Sequence, residues 1–390
     1  MPKVFLKKLN ARLQSGHPWI YENEIERVEG DYENGDLVDV FRPDGSFFGK
    51  GYVNDRSLIR VRLLTRKNEK IDEAFFEERI KRALELRKKL VKDTDAFRVV
   101  HSEGDFLPGL VVDKYRDYLV VQFTTLGMEK LKERVIDSLL KIFEPTGIYE
   151  KSVGSFREKE GLQDFEGWIY GNGPELIEFE MNGLKFLADL KGQKTGAFLD
   201  QRENARMVMD FSDGKVCLDV FSYTGNFAAH LLRGGAKHVT LIDYSERALE
   251  VAKEILKMNG FEGKFELINA NAFDLLKVFD KDGKVFDLVV LDPPSFAKSA
   301  KSLENAKRGY KEVNLRAVRI LKKPGILVTS SCTQVVSEET FKEILVEVSQ
   351  DTKTILTVLK RGGQPSDHPV TLNIPETNYL KFFILQVEKR

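Results

Sequence analysis

Val216-Cys217-Leu218-Asp219-Val220-Phe221 runs directly into Ser222-Tyr223-Thr224-Gly225-Asn226-Phe227. An apolar run, a turn carrying a glycine and the start of an apolar helical pattern form the opening strand–turn–helix of a parallel α/β sheet. Downstream the alternation continues, with strand-like runs at 239–243, 265–268, 288–292 and 326–330 and helical stretches at 227–233, 248–259 and 313–321. This predicts a Rossmann-like, doubly wound α/β sheet over residues 171–390.

Upstream the periodicity changes. Runs at 35–41, 47–53 and 58–64 alternate around Pro43-Asp44-Gly45, which predicts a small all-β module across residues 1–69. A charged helix from Ile71 to Val91, with Phe75, Ile80, Leu84 and Leu90 on one stripe, then links to a central α+β segment ending near 170. That segment holds strands at 110–113 and 118–123 around Pro108-Gly109, and a helix near 128–143 that Pro145 and Gly147 stop. Short strand-like pieces at 168–170, 176–179 and 184–188 lead into the last domain.

Composition narrows the function classes. With 42% hydrophobic and 31% charged residues and no apolar run near the 18 or so that a membrane span needs, a water-soluble multidomain protein is expected. The start, Met1-Pro2-Lys3-Val4-Phe5-Leu6-Lys7-Lys8, has no hydrophobic signal segment, so a cytoplasmic location and no membrane partner are expected. Only Cys217 and Cys332 are present, which excludes a disulfide framework, a cysteine-rich zinc site and a four-cysteine iron–sulfur cluster; no metal is expected. The net charge of zero carries no global nucleic-acid signature. Locally, Lys298, Lys301, Lys307, Arg308, Lys311, Arg316, Arg319, Lys322 and Lys323 face only Glu304 and Glu312 between Ala297 and Gly325, a balance of 9 − 2 = +7. A solvated helix face explains that run as well as contact with phosphates does.

The first strand and its loop form a ligand end. A dinucleotide site calls for G-x-G-x-x-G under its pyrophosphate, and here Gly225 is the one glycine in that role. Asp219 inside the strand end suits a cationic or hydrogen-bond-donating ligand better than a pyrophosphate. The expectation is therefore S-adenosylmethionine, whose methionine moiety carries an ammonium. Asp219, Phe221, Ser222, Tyr223, Thr224, Gly225, Asn226 and Phe227 are candidate contacts, Gly225 by allowing close backbone approach. Asp243 ends the second strand, 24 residues after Asp219, where a carboxylate can accept both ribose hydroxyls, with Tyr244 and Ser245 beside it. Two strand-end aspartates also cap following helices in many α/β folds. After the third strand, Asn271 and Ala272 offer an amide and an apolar wall to an adenine ring.

A second strand end carries chemistry. Asp292-Pro293-Pro294-Ser295-Phe296 holds a carboxylate on a turn that two prolines stiffen. Cys332 follows Ile326-Leu327-Val328-Thr329-Ser330-Ser331, 40 residues after Asp292, and has a polar setting, whereas Cys217 lies inside an apolar strand as a core thiol. The carboxyl ends of parallel strands open on one crevice, so both groups are expected to meet one substrate ring. A thiolate is the strongest side-chain nucleophile near neutral pH. Cys332 attack on C6 of a cytosine, with Asp292 at N3 (and also beside the cofactor), prepares C5 for methylation. No second cysteine lies in the Asp292 turn, so water or a polar neighbour takes the C5 proton. A paired base must first leave its stack. Pro293, Pro294, Ser295, Phe296, Lys298, Arg308 and Tyr310 are candidate substrate contacts.

These residues, with Gly192-Gln193-Lys194-Thr195-Gly196-Ala197-Phe198-Leu199-Asp200-Gln201-Arg202, Gly309-Tyr310-Lys311 and Asp367-His368-Pro369, resemble the RlmI-like ribosomal RNA (cytosine-C5) methyltransferase family over the whole chain. The resemblance implies an N-terminal PUA-type RNA-binding domain (1–69), a central α/β domain (70–170), a C-terminal methyltransferase domain (171–390) and large-subunit (23S) ribosomal RNA as substrate. It also implies that Phe198 and Arg202 line the cofactor pocket. The sequence departs from the family pattern at Thr333, where serine is expected, Asn226, where glycine is common, and Ser295, where lysine is frequent. Three other readings remain: methylation of uracil at C5 by the same thiol, a non-catalytic RNA-binding or ribosome-assembly protein, and a small-molecule methyltransferase, for which the β-module has no purpose. Nothing in the sequence sets the oligomeric state, a homodimer being one option.

Overall fold

The computed structural model describes residues 1–297 and 300–390, and these form two compact units. The first comprises residues 1–179, 193–195 and 366–377. Its N-terminal sheet contains β1 (Lys3–Leu6), β2 (Trp19–Ile20), β3 (Ile25–Glu29), β4 (Leu37–Phe41), β5 (Phe47–Val53) and β6 (Val61–Thr65), in the order β2-β6-β5-β4-β1-β3. All pairs are antiparallel except β1 with β4. Period-two alternation places Val38 and Val40 in the core and leaves Leu37, Asp39 and Phe41 half-exposed. Gly51 is required where β5 crosses β6, because a Cβ there would lie 2.1 Å from the Arg62 carbonyl oxygen.

A second sheet in this unit is built from β7 (Ala96–His101), β8 (Leu110–Tyr115), β9 (Tyr118–Phe123), β10 (Gly147–Ser152) and β11 (Phe165–Gly171), in the order β11-β10-β9-β8-β7. Asp72 caps the helix Glu73–Leu90 by accepting from Phe75 N–H at 3.2 Å. This helix is more than the linker its charge suggests. Phe75, Phe76 and Ile80 share one core cluster with Tyr52 and Leu64 of the first sheet and Val112 and Val121 of the second. The Tyr52 hydroxyl, fully buried, donates to the Pro108 carbonyl at 2.9 Å and bonds to Thr125. The helix expected near 128–143 consists of two pieces, Leu126–Lys130 and Lys132–Phe143.

The chain passes into the second unit within β12 (Leu176–Met181) and continues through β13 (Leu184–Asp189). The main sheet here comprises β14 (Val216–Val220), β15 (His238–Asp243), β16 (Phe265–Asn269), β17 (Phe286–Leu291), β18 (Leu321–Ser331), β19 (Thr354–Gly362) and β20 (Lys381–Lys389). Their order is β16-β15-β14-β17-β18-β20-β19, with the first five parallel and β20 antiparallel to both neighbours. Central parallel strands are covered on both faces, hence the continuous apolar runs of β14 and β17. The order reverses between β14 and β17, and ligands bind where such a reversal opens a crevice at the carboxyl ends. Among the described residues no helix is long and apolar enough to cross a membrane.

Several elements lie outside the sequence expectation. The helix Leu303–Arg319 starts ten residues before 313, because its first turns are polar, contain Gly309 and bury only Ala306 and Tyr310. The edge strand β19 exposes most of its residues and lacks an apolar run. The helices Ala272–Lys281 and Glu338–Thr352 and strand β20 complete the domain.

The Asp367-His368-Pro369 motif belongs to the first unit. Arg87, wholly buried, makes two 2.6 Å bonds to Asp105 and donates to the Asp367 carbonyl at 2.9 Å, while Arg98 N–H donates to the Asp367 carboxylate at 2.9 Å. Arg98 also grips the fully buried Asp113 through two 2.8 Å bonds, and the Thr195 hydroxyl donates to the same carboxylate. Removing one partner of such a buried pair strands the other charge, so Asp113→Asn is expected to lower unfolding stability by about 3–5 kcal/mol. Urea denaturation of the intact protein measures this; a loss of roughly one-fifth of that range, the size expected of a surface pair, contradicts it.

Candidate active site

The loop after β14 is strained in an ordered way. Phe221 (φ 63°), Tyr223 (φ 47°) and Gly225 (φ 77°) are left-handed at every second position. Two bulky residues in that region cost on the order of 1–3 kcal/mol each and persist only where surroundings over-determine them. Here the surroundings are visible. Ser222 N–H donates to the Ile242 carbonyl at 3.1 Å, Gly225 N–H to the Ser222 carbonyl at 2.8 Å, and Tyr223 N–H to the Asp243 carboxylate at 2.8 Å. This turn itself requires Gly225, since a Cβ there would meet Leu241 and Ala252 at 3.2 Å in the core.

Asp219 sits at the base of the loop, fully buried. One carboxylate oxygen accepts from Ala228 N–H at 3.0 Å, in the first turn of the helix Asn226–Arg233; the other has no hydrogen-bond partner among the described residues. The capping alternative therefore accounts for half of this carboxylate. Burial pushes its pKa well above the ordinary carboxylate value, against the Ala228 bond, and the charges of Asp292 and Asp243 push the same way. An orphaned buried oxygen amid three acidic groups fits a cationic hydrogen-bond donor, as the ammonium of S-adenosylmethionine is. The Ser222 hydroxyl and the Asn226 side-chain oxygen are also buried without a partner among the described residues. Thr224 and Phe227 are buried beside them.

Other candidates divide between ligand and framework. Both Asp243 oxygens already accept from backbone, Tyr223 N–H and Ser245 N–H, each keeping a lone pair for a ribose hydroxyl. Ser245 caps the helix Glu246–Met258 through Ala248 N–H, and Tyr244 is 81% exposed. Asn271 uses its side-chain oxygen to cap the helix Ala272–Lys281, with Ala272 buried behind it. Phe198 meets Tyr223 edge-on at 4.9 Å, which brings Phe198 over the loop; Arg202 is buried four residues further on. Phe221, Phe273, Phe296 and Tyr310 form a chain of ring contacts, 6.3, 5.7 and 4.7 Å between successive centroids, that joins the ligand end to the chemical end.

At that chemical end the two residues expected to cooperate are brought together. The Cys332 thiol lies 3.9 Å from the Pro293 carbonyl oxygen and is partly exposed. Cys217 is buried, and burial raises its thiol to about 12. One Asp292 oxygen accepts from the Gln201 amide at 2.7 Å and from the Ser330 hydroxyl, and Asn204 orients Gln201 at 2.6 Å. Gln201 and Ser330 carry no sequence pattern that points to this role, although both sit in stretches the family resemblance covers.

Thr333 ties the turns together. Its hydroxyl oxygen lies 2.7 Å from the Tyr310 hydroxyl, 3.0 Å from the Ser295 hydroxyl and accepts from Phe296 N–H at 3.2 Å. Tyr310 is completely buried, with its hydroxyl against Thr333. Pro293 is buried, Pro294 and Ser295 are exposed and Phe296 is half-buried. Lys298 lies outside the described residues. The basic run is largely neutralised: Lys307, Lys311, Arg316, Arg319 and Lys322 pair with Glu304, Glu347, Asp280, Asp280 and Asp287 at 2.8–3.3 Å. That pairing matches the solvated-face alternative for most of the run. Arg308 is exposed. No group of acidic, histidine or cysteine residues suited to a metal occurs among the described residues.

Comparison with known proteins identifies the family and the fold. Residues 5–66 match the PUA-like domain family, and residues 159–373 match the S-adenosylmethionine-dependent methyltransferase family. The chain is 38% identical to a protein named ribosomal RNA large subunit methyltransferase I from Aliivibrio fischeri, covering 98% of this chain and 99% of that one. It is 37% identical to one of the same name from Alteromonas mediterranea, covering 96% of each. Among solved structures, a putative methyltransferase complexed with S-adenosylhomocysteine superposes with a TM-score of 0.86 at 22% identity, over 99% of this chain and all of that one. A putative S-adenosylmethionine-dependent methyltransferase from Streptococcus mutans has a TM-score of 0.85, also at 22% identity and with the same coverage.

The state of Asp219 sets opposite expectations for stability and for binding. A carboxyl whose folded pKa is raised favours folding while protonated, and that contribution is lost as pH rises through the folded-state value. At pH 8 without ligand, Asp219→Asn is therefore expected to melt higher than the natural protein. Its affinity for S-adenosylhomocysteine, which keeps the ammonium, should fall roughly ten- to a hundred-fold, the size of a hydrogen bond to a charged group. Thermal melting and titration calorimetry read the two effects; unchanged affinity contradicts the assignment.

Proposed function

The chain belongs to the S-adenosylmethionine-dependent methyltransferase family, and on that premise we propose that it forms 5-methylcytosine in large-subunit ribosomal RNA through a covalent Cys332 adduct. The observation that carries the proposal is the approach of the Cys332 thiol to the Asp292-Pro293 turn, at the ends of the neighbouring strands β17 and β18. One strand further lies β14 with the orphaned Asp219 oxygen. S-adenosylmethionine would supply an electrophilic methyl group there, and Asp219 would hold its ammonium, Asp243 its ribose and Asn271, Ala272 and Phe273 its adenine.

Cys332 and Asp292 carry the activation of the ring. The Cys332 sulfur adds to C6 of the ring, and the C5–C6 electron pair moves to C5, making that carbon the nucleophile. Charge spreads over N3 and O2, and a proton shared between Asp292 and N3 offsets it. Gln201 and Ser330 fix the Asp292 carboxylate, so its orientation needs no reorganisation during reaction. Once C5 carries the methyl group, transfer of the C5 proton to water or a polar neighbour re-forms the C5–C6 double bond and expels the Cys332 sulfur as thiolate.

The PUA-like module is the proposed RNA-holding part. On its outer face Phe5 and Phe41 stack at 5.2 Å, with the Arg27 guanidinium 3.8 Å from the Phe5 ring and the Lys3 ammonium 5.8 Å from the Phe41 ring. Aromatic faces interleaved with cations suit unpaired nucleotides. The expected arrangement is a PUA-like domain at 1–69, a central domain at 70–170 and the methyltransferase at 171–390, in a cytoplasmic enzyme.

RNA containing 5-fluorocytosine lacks the C5 proton whose loss releases the enzyme. It is expected to form a denaturation-resistant adduct with this protein in the presence of S-adenosylmethionine, visible as a mass increase on the Cys332 peptide. Cys332→Ala should form none. A folded Cys332→Ala protein that methylates ribosomal cytosine at the natural rate would sink the proposal, and cofactor binding with no methyl transfer to unmodified ribosomal RNA would favour a non-catalytic role.

A further inference from the structure

Lys381 opens β20 at the position paired with Ser331, the residue before Cys332. Its side chain is 8% exposed, and its amine donates to the Thr333 carbonyl at 2.7 Å and to the Tyr379 carbonyl at 2.9 Å. A buried ammonium is costly, and a long apolar side chain would fill the same space without that cost. The two carbonyls fix two of the three proton positions on the nitrogen. The Thr333 bond places the amine one residue along the chain from Cys332.

Burial lowers this amine to about 8, and a charge on Cys332, followed by Glu338, acts in the opposite direction. Coupling of two titrating groups is mutual, so charge on Lys381 lowers the Cys332 thiol in turn. Other ionisable groups face the same spot from three elements. Tyr310, on the helix Leu303–Arg319, is raised to about 12, first by burial and then by Cys332, and stays neutral. Asp292, after β17, is an acid that opposes a thiolate. Glu338, at the start of the helix Glu338–Thr352, is engaged by Lys342.

We propose that Lys381 is the counter-charge of Cys332: its ammonium, held beside the Cys332 peptide by the Thr333 carbonyl, stabilises the thiolate that forms when the S–H proton passes to solvent and the electron pair stays on sulfur, and this thiolate is the form that attacks. Lys381 acts through the thiol rather than on the ring, as a positioning residue. The inference rests on Cys332 being the nucleophile, but its test needs neither RNA nor methyl transfer.

The test is the pH dependence of iodoacetamide alkylation in the full-length protein, read by mass on the Cys332 peptide so that Cys217 does not contribute. Lys381→Met is expected to move the midpoint up by about 1 pH unit or more, the shift typical of losing an adjacent opposite charge. Lys381→Arg, which keeps the charge, should hold it near the natural value. Should Lys381→Met fail to fold, the reciprocal measurement is available: in Cys332→Ala, the Lys381 midpoint followed by NMR of labelled lysine should fall. An unchanged midpoint in either experiment overturns the pairing. A shifted midpoint in a protein that does not methylate cytosine keeps the Lys381–Cys332 pair and removes the substrate reading instead.

Discussion

One hydroxyl holds the chemical end together. Thr333 binds Tyr310, Ser295 and the Phe296 amide at once, so the segment after β18 cannot move independently of the turn after β17. Covalent catalysis demands that nucleophile and acid approach one ring together, and an error of an ångström in either is expensive. The peptide carrying Cys332 and the peptide carrying Asp292 are joined here by Thr333, next after Cys332, bonding to Ser295 and Phe296, three and four residues after Asp292. The buried Tyr310 completes the knot from the helix beneath. Thr333 and Ser295, the two positions where the sequence departs from the family pattern near this turn, are in direct contact with one another. Their substitution together is consistent with a shared structural task.

The ligand end works by the opposite logic. Asp219, Asp243 and Asp292 converge at the ends of adjacent strands, where burial and mutual repulsion disfavour ionisation of Asp219. Left-handed Phe221 and Tyr223 add backbone strain. These features oppose the stability of the ligand-free protein, and a cation with hydrogen-bond donors relieves the electrostatic part. Apolar packing of β14, β15 and β17, whose central side chains are fully buried, sustains the local cost.

Much of this was legible in the residues. The parallel sheet announced itself because doubly covered strands read as unbroken apolar runs, and strand ends in such a sheet share a side, which allowed Asp292 and Cys332 to be paired across 40 residues. What stayed hidden lacks a local signature. Gln201 reaches Asp292 from a segment without periodicity, and Lys381 is an ordinary lysine until β20 folds antiparallel beside β18. The packing reason for Gly225 was hidden too, because the atoms opposite its missing Cβ are known only once the sheet has folded. The basic run looked open because its acidic partners Asp280, Glu347 and Asp287 come from other elements.

The central claim is that the thiol at the end of β18 prepares C5 of a cytosine for methylation. Ribosomal RNA bearing tritium at cytosine C5 tests it most directly. Incubation with the protein and S-adenosylmethionine should release tritium to solvent in step with methyl incorporation, one for one, and both should vanish with Cys332→Ala. Methylated RNA that retains its tritium would place the methyl group elsewhere and contradict the account.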